Sequence, residues 1–315
     1  MKCDEFVLAV HGGCGVAPRQ SISGDMENAL RAGLATGLDA GYRILKANGS
    51  AIDAVTAAVV ALEDNPLFNA GRGSEFTIDG KLEMDASIMD GRDHRAGAVA
   101  AILGPRNPIL AARAVMERSE QVLMVAAGAN EFCRRHGIPM ADFDYFHVDV
   151  RWQELLAERE RRSAQPTIKQ ASPGTVGAVA RDRHGNLAAA TSTGGMTGKP
   201  SGRIGDTPIV GAGTWADNQT CAISATGIGE FFIRWAVAHE ISARIAYRGD
   251  SLHSATQSVV TEIGAHGGKG GVIAVDPRGA VALPFNTDGM YRGTIGPDGV
   301  ALTAIYAEEL RASSR

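Results

Sequence analysis

The chain has 315 residues, 44% of them apolar and 21% charged, with a formal net charge of −4. That balance belongs to an ordinary globular protein and excludes disordered, fibrous and strongly basic nucleic-acid-binding classes. No apolar run approaches the roughly 20 residues of a membrane helix, and the opening MKCDEFVLAVHGG lacks the long apolar core of an export signal.

In chain order, Glu5 to Val10 reads as a short strand ending at His11-Gly12-Gly13. Met26, Leu30, Leu34, Leu38, Ile44 and Leu45 recur at three- and four-residue steps, which predicts a helix over Asp25 to Ala47 closed by Asn48-Gly49. Ser50-Ala-Ile-Asp53 resembles a capping box opening a second helix to about Leu62. Asp79-Gly80 predicts a hairpin between Glu75–Ile78 and Lys81–Met89. Gly97 to Leu103 follows as a strand, Pro108 to Arg118 as a helix, Val122 to Val125 as a strand and Ala129 to His136 as a helix. The polar stretch Arg151 to Ser172 has no sustained apolar face and is expected to be a solvent-exposed connection, helical only near its start.

At Gly174-Thr175 the texture changes to the apolar run Thr175-Val-Gly-Ala-Val-Ala180, a strand with both faces buried. It forms a hairpin with Asn186–Thr191 around Asp182-Arg-His-Gly185. Ala222 to Ala225 is a strand, Glu230 to Tyr247 one long helix and Ser251 to Ile263 another. A last hairpin, Gly271–Val275 with Ala280–Pro284, and a closing strand over Ala301 to Tyr306 complete the chain. Strict β-α-β alternation is absent, so an α+β fold is expected, with antiparallel sheets layered helix-sheet-sheet-helix.

Several attractive motifs fail on their own terms. Gly198-Lys199 lacks the upstream glycine of a phosphate loop, and Pro200 stands where a magnesium-binding hydroxyl belongs. Gly211-Ala-Gly213-Thr-Trp-Ala216 fits a dinucleotide fingerprint but runs into a strand. The eight histidines show no ligand spacing for catalytic zinc. Four scattered cysteines without a CxxC pair (Cys3, Cys14, Cys133 and Cys221) read as reduced, mostly buried thiols, and a cytoplasmic location is expected.

What remains is hydroxyl- and glycine-rich: Thr191-Ser-Thr193-Gly-Gly195, Gly202-Arg203-Ile-Gly-Asp206 and Thr226-Gly-Ile-Gly-Glu230. A threonine hydroxyl is a weak nucleophile until a base takes its proton, and a threonine with a free α-amine carries that base itself. Cutting the bond before Thr175 would create one. Thr226-Gly227 can present a hydroxyl and a backbone N–H to an oxyanion. Arg203 offers a planar fork for a carboxylate and Asp206 an acceptor for an ammonium, so together they describe a pocket for an amino acid's head.

These segments, with Pro66-Leu-Phe-Asn-Ala-Gly71-Arg-Gly73, Met84-Asp85-Ala86 and Met89-Asp90-Gly91, make the sequence resemble the plant-type L-asparaginase and isoaspartyl peptidase family of N-terminal-nucleophile hydrolases. The likeness runs from His11 nearly to the C-terminus. It implies a four-layer αββα sandwich forming one domain. It also implies self-cleavage between Gly174 and Thr175 into an α subunit, 1–174 with a flexible linker over about 151–174, and a β subunit, 175–315. Thr175 is then the nucleophile, Thr193 assists its hydroxyl, and Asn69 orients it. Thr226 and Gly227 form the oxyanion hole, while Arg203 and Asp206, with Gly229 nearby, bind substrate.

The resemblance further implies a structural sodium held by backbone carbonyls of Leu62, Glu63, Asn65, Phe68, Ala70 and Arg72. It implies no cofactor for catalysis and an (αβ)₂ heterotetramer, and its substrates would be L-asparagine and β-aspartyl dipeptides. Glycosylasparaginase activity and an uncleaved ligand-binding protein remain the alternatives. Cys14 and Ile228 depart from the family's usual residues.

Overall fold

The computed structural model describes residues 6–164 and 174–312. Strand β1 (Val7–Gly13) leads into helices α1 (Gly24–Lys46) and α2 (Ala51–Glu63). Strands β2 (Met84–Asp90) and β3 (Ala96–Ile102), helix α3 (Pro108–Arg118), strand β4 (Leu123–Val125) and helices α4 (Ala126–Arg135), α5 (Phe143–Phe146) and α6 (Asp149–Ala164) follow. After Thr175 come β5 (Val176–Arg181), β6 (Leu187–Thr193), β7 (Thr214–Ala216) and β8 (Ala222–Gly227), then α7 (Gly229–Arg234), α8 (Val237–Arg248) and α9 (Leu252–Ala265). The chain closes with β9 (Gly270–Val275), β10 (Val281–Ala282), β11 (Gly289–Ile295), β12 (Leu302–Tyr306) and β13 (Arg311–Ala312).

Nine strands form one sheet in the order β13-β12-β11-β1-β5-β6-β2-β3-β4, and four form a second in the order β10-β9-β8-β7. The ladders are antiparallel except that between β3 and β4. The two sheets face each other across an apolar layer containing Ala9, Val179, Ala189, Ala222 and Ile273. Helices α1 to α3 cover the outer face of the large sheet, and α8 and α9 the outer face of the small one. This is the expected αββα sandwich.

The periodicity that predicts α1 also fixes what it buries. Leu34, Leu38 and Leu45 are wholly buried against the large sheet, each worth about 1.5–3 kcal/mol relative to exposure. Ser50 caps α2 as read from sequence: its oxygen accepts from the Asp53 N–H at 3.2 Å and its hydroxyl donates to the Asp53 carboxylate at 2.6 Å. In β5, successive side chains alternate between faces. Val176, Ala178 and Ala180 turn to the helices, and Val179 turns to the small sheet. Thr175 and Gly177 share the parity of Val179, so the strand carries Thr175 toward the space between the sheets.

Three expectations are corrected, and one long strand is added. The Asp79-Gly80 turn forms, with Thr77 N–H on the Lys81 carbonyl at 2.8 Å, but it grows no ladder. The arm before it bonds instead to Gly198 and Lys199, and the strand proper begins at Met84. The single helix over Glu230 to Tyr247 is two helices, because Ala236 adopts a left-handed conformation (φ 46°). There the first N–H groups of α8 turn onto the Ala212 and Gly211 carbonyls, through Ala238 and His239. Asp149–Ala164 is a continuous helix with Leu155 buried, rather than a connection helical only at its start; the rest of the linker up to residue 173 lies outside the described residues. Finally β11 went unread, because Gly289, Arg292 and Gly293 interrupt its apolar pattern. Its buried Arg292 is satisfied by donating to the carbonyls of Met290, Tyr306 and Glu308.

Candidate active site

The carbonyl of the Gly174–Thr175 peptide bond is the focus of the site. Asn69 Nδ2 and the Thr193 hydroxyl each donate to the Gly174 oxygen at 2.9 Å. The Thr175 hydroxyl lies 2.7 Å from the same oxygen and 3.2 Å from Thr193 Oγ1. Thr193 is aimed by the Gly195 N–H, which donates to its Oγ1 at 2.9 Å. Asn69 is held at both ends of its amide: its Nδ2 also donates to the Gly195 carbonyl at 2.6 Å, and its Oδ1 accepts from the Glu75 N–H at 2.9 Å. β1 can approach this bond because of Gly13. Its φ is +109°, and a Cβ there would stand 3.1 Å from the Gly174 Cα.

Behind Thr175 runs a buried polar spine that sequence reasoning missed. Thr175 lies one residue before the first β5–β6 pair, Val176 with Ser192, and beyond the last β1–β5 pair, His11 with Gly177. The His11 side chain reaches past the ladder's end: its Nδ1 is 3.1 Å from the Thr175 carbonyl and its Nε2 is 2.9 Å from Ser224 Oγ. A carbonyl only accepts, so Nδ1 carries the hydrogen and the Ser224 hydroxyl donates to Nε2. Burial holds the ring neutral, lowering its pKa to about 3 despite the Thr175 carbonyl.

From Ser224 the chain of hydroxyls continues to Thr191 at 2.7 Å, Thr214 at 2.5 Å and Ser87 at 2.8 Å. The Ser87 hydroxyl also donates to the Thr207 carbonyl at 2.5 Å, which anchors the far end of the spine. The His11–Ser224 bond crosses over Gly177, where a Cβ would stand 2.0 Å from Ser224 Oγ and 2.4 Å from His11 Nε2. Part of the spine was readable: Thr191 and Thr193 share the β6 face of Ala189, which turns to the small sheet.

The other wall holds the predicted head-group residues. Thr175, Thr193, Arg203, Asp206 and Gly227 line one small cavity together with Gly174. Asp206 is buried and its Oδ2 has no hydrogen-bond partner among the described residues. Desolvation raises its pKa to about 7, against the pull of its own backbone N–H and of Arg203. An unpaired buried carboxylate is costly, so an arriving ammonium has much to gain there. Arg203 rests against Glu230, donating to Oε1 from Nε at 2.9 Å with Nη2 also at 2.9 Å. Gly229 packs on Asp206, with room for no side chain: a Cβ would lie 2.7 Å from Asp206 Oδ1.

Of the expected oxyanion pair, Gly227 lines the cavity, whereas the Thr226 hydroxyl is turned to Cys14 Sγ at 3.8 Å. Burial pushes the Cys14 thiol up to about 12, so Cys14 stays a neutral packing group. Asp85 and Lys199, also unread as site residues, are buried beside Arg203; burial raises the pKa of the first and lowers that of the second.

The segment from Leu62 to Arg72 curls so that its carbonyls crowd positions where only glycine fits. A Cβ on Gly73 would lie 2.0 Å from the Phe68 oxygen, and one on Gly71 (φ +53°) 2.6 Å from the Glu63 oxygen. Glu63 turns its side chain away, accepting from Ser192 Oγ at 2.6 Å and from the Ile109 N–H at 2.9 Å, and burial raises its pKa to about 8. Within the loop the Leu62, Asn65, Phe68 and Ala70 carbonyls accept from the N–H groups of Asn65, Phe68, Ala70 and Gly73.

Residues 4–305 match the Asparaginase_2 family, described as asparaginase. The chain is 48% identical to the isoaspartyl peptidase of Salmonella typhimurium, covering 97% of this chain and all of that one. It is 47% identical to the isoaspartyl peptidase of Escherichia coli, covering 96% and 97%. Identity to the human isoaspartyl peptidase/L-asparaginase is 40%, covering 94% and 98%. The chain belongs to the asparaginase and isoaspartyl peptidase family of N-terminal-nucleophile hydrolases.

Proposed function

We propose that this protein is a self-activating amidohydrolase that converts L-asparagine to aspartate and ammonia and cleaves β-aspartyl dipeptides through a threonyl ester. The observation that carries the reading is the convergence of Asn69 and Thr193 on the Gly174 carbonyl, beside the Thr175 hydroxyl. Two donors polarise the carbonyl, and Oγ adds to its carbon. The C–N bond to Thr175 breaks as the hydroxyl's proton passes to nitrogen, and water then hydrolyses the ester. The products are the Gly174 carboxylate and a free threonine amine.

In the mature enzyme that amine takes the Thr175 hydroxyl proton, and Oγ attacks the side-chain amide of the substrate. Thr193 holds the hydroxyl. Gly227 and Thr226 stabilise the oxyanion, which requires the Thr226 hydroxyl to leave Cys14. Arg203 binds the α-carboxylate and Asp206 the α-ammonium; the empty position at Asp206 Oδ2 supports this assignment. Asn69, which donates to the Gly174 and Gly195 carbonyls, keeps Thr175 in place.

A sodium ion held by carbonyls of Leu62, Glu63, Asn65, Phe68, Ala70 and Arg72 would brace the loop that carries Asn69. Exchanging sodium for choline should then lower the melting temperature, and an unchanged value would remove the ion from the account. Cys14, Cys133 and Cys221 are buried and unpaired, which supports a cytoplasmic setting. No helix among the described residues is long and apolar enough to cross a membrane.

The test of activity is direct. Ammonia should appear from L-asparagine and aspartate from β-aspartyl dipeptides, and both should vanish in Thr175→Ala. Turnover that survives Thr175→Ala would refute the nucleophile.

A further inference from the structure

We propose that a second cavity, on the far side of Gly174, is the subsite for the leaving residue of β-aspartyl dipeptides and selects apolar ones. The proposal rests on the amidohydrolase reading above. The cavity measures about 470 Å³, and its apolar wall is made by Ile22, Met26, Leu30, Leu67 and Tyr291. It reaches the junction through Asn69 and Gly174. Gly174 also lines the cavity of Arg203 and Asp206, and among the described residues it is the one common to the two. The residue that is cut is therefore the partition between them.

The chemistry places the leaving group on this side. In turnover the Oγ–C bond forms, the substrate's C–N bond breaks, and the proton taken by the Thr175 amine passes to the departing nitrogen. That nitrogen must come within hydrogen-bond reach of the Thr175 nitrogen. In the precursor the group bonded to that same nitrogen is Gly174. Cleavage frees Gly174 to withdraw, and the volume it vacates continues into the cavity it lines. An aspartyl head on Arg203 and Asp206 then leaves its partner residue lying against Ile22, Met26 and Leu67.

The charges refine the preference. Arg151 pairs with buried Glu75 at 2.9 Å and with Glu154 at 3.0 Å, whose side chain is 43% exposed. Arg151 is thus balanced by these two carboxylates, and it also donates to the Gly73 and Leu67 carbonyls. An acidic leaving side chain would face two carboxylates. The expected order is leucine or methionine above glycine, and glycine above aspartate or glutamate.

The test compares kcat/KM of the mature enzyme for β-aspartyl-leucine, β-aspartyl-glycine and L-asparagine, whose leaving group is ammonia and enters no subsite. Leucine should exceed glycine by about 10- to 100-fold, the usual worth of a few buried methylenes. Met26 is the third residue of α1 after its Ser23 cap, so Met26→Glu completes a capping box and preserves the fold. This variant and Ile22→Asp should each cut the leucine-to-glycine ratio about tenfold while asparagine turnover holds. An equal rate on both dipeptides in the wild type would overturn the subsite, as would an unchanged ratio in both variants. A parallel loss on asparagine would show the wall to be merely structural. A wild type that hydrolyses none of the three would refute the amidohydrolase reading instead, and the subsite with it.

Discussion

At the scale of single residues, the nucleophile depends on a side chain three strands' worth of sequence away. His11 Nδ1 supplies a hydrogen bond to Thr175 where the β1–β5 ladder has ended, and so fixes the plane from which both Oγ and the α-amine project. A displacement of 1 Å at a reacting group costs about 10²-fold in rate. His11→Ala should therefore lower kcat about 10²-fold with KM within about twofold. It also takes from the Thr175 carbonyl its His11 partner, at about 1–3 kcal/mol. In His11→Asn the side-chain amide can stand where Nδ1 stood and should restore most of the rate; equal loss in both variants would make His11 only a packing residue.

Asp206 gives a pH signature. Its folded pKa lies near 7 because burial disfavours the carboxylate, so the ionised form that pairs with an ammonium gains population as pH rises through that value. The dissociation constant for L-aspartate should fall between about pH 6 and pH 8; a flat profile would contradict Asp206 as the ammonium's partner. Arg203, Asp206, Thr175 and Thr193 were legible because their hydroxyl and charge chemistry stands in short motifs. His11 and Ser224 were not, because their partnership spans 213 residues and exists only once the two sheets face each other.

At the scale of elements, strong local signals held wherever burial agreed with them. The α1 leucines and the Ser50 cap are where periodicity put them. The turn at Gly185 likewise joins a real hairpin, β5 with β6. Local signals failed where a distant backbone competed. The Asp79-Gly80 turn lost its ladder to residues 198 and 199, and the helix after Gly229 broke where α8 docks on the Gly211 loop. The break forces Ala236 to φ 46° and ψ 47°, a region that costs an L-residue about 1–2 kcal/mol. Ala236→Gly should raise stability by up to about 1 kcal/mol in denaturant titration. A loss would mean that the methyl group packs usefully there.

At the scale of the whole molecule, two sheets clamp one peptide bond. The large sheet supplies the residues that surround it: His11 and Gly13 from β1, and Thr193 from β6. The small sheet supplies Ser224, Thr226 and Gly227 from β8. The layering was legible from the order of hairpins and helices, whereas the coupling between layers had no local signature. At the edge of the large sheet, Leu123 and Val125 of β4 are about half exposed, and pairing of cleaved units into (αβ)₂ is a prediction. Light scattering should give twice the chain's 32.9 kDa, and a single-chain mass would contradict the assembly.

The central claim is that Thr175 becomes an N-terminus by its own chemistry. Purified protein held at neutral pH should resolve into two fragments on a denaturing gel. N-terminal sequencing of the one spanning 175–315 should read Thr-Val-Gly-Ala, and Thr175→Ala should stay whole. A wild-type chain that remains full length while hydrolysing asparagine, or a fragment beginning at any other residue, would contradict the account.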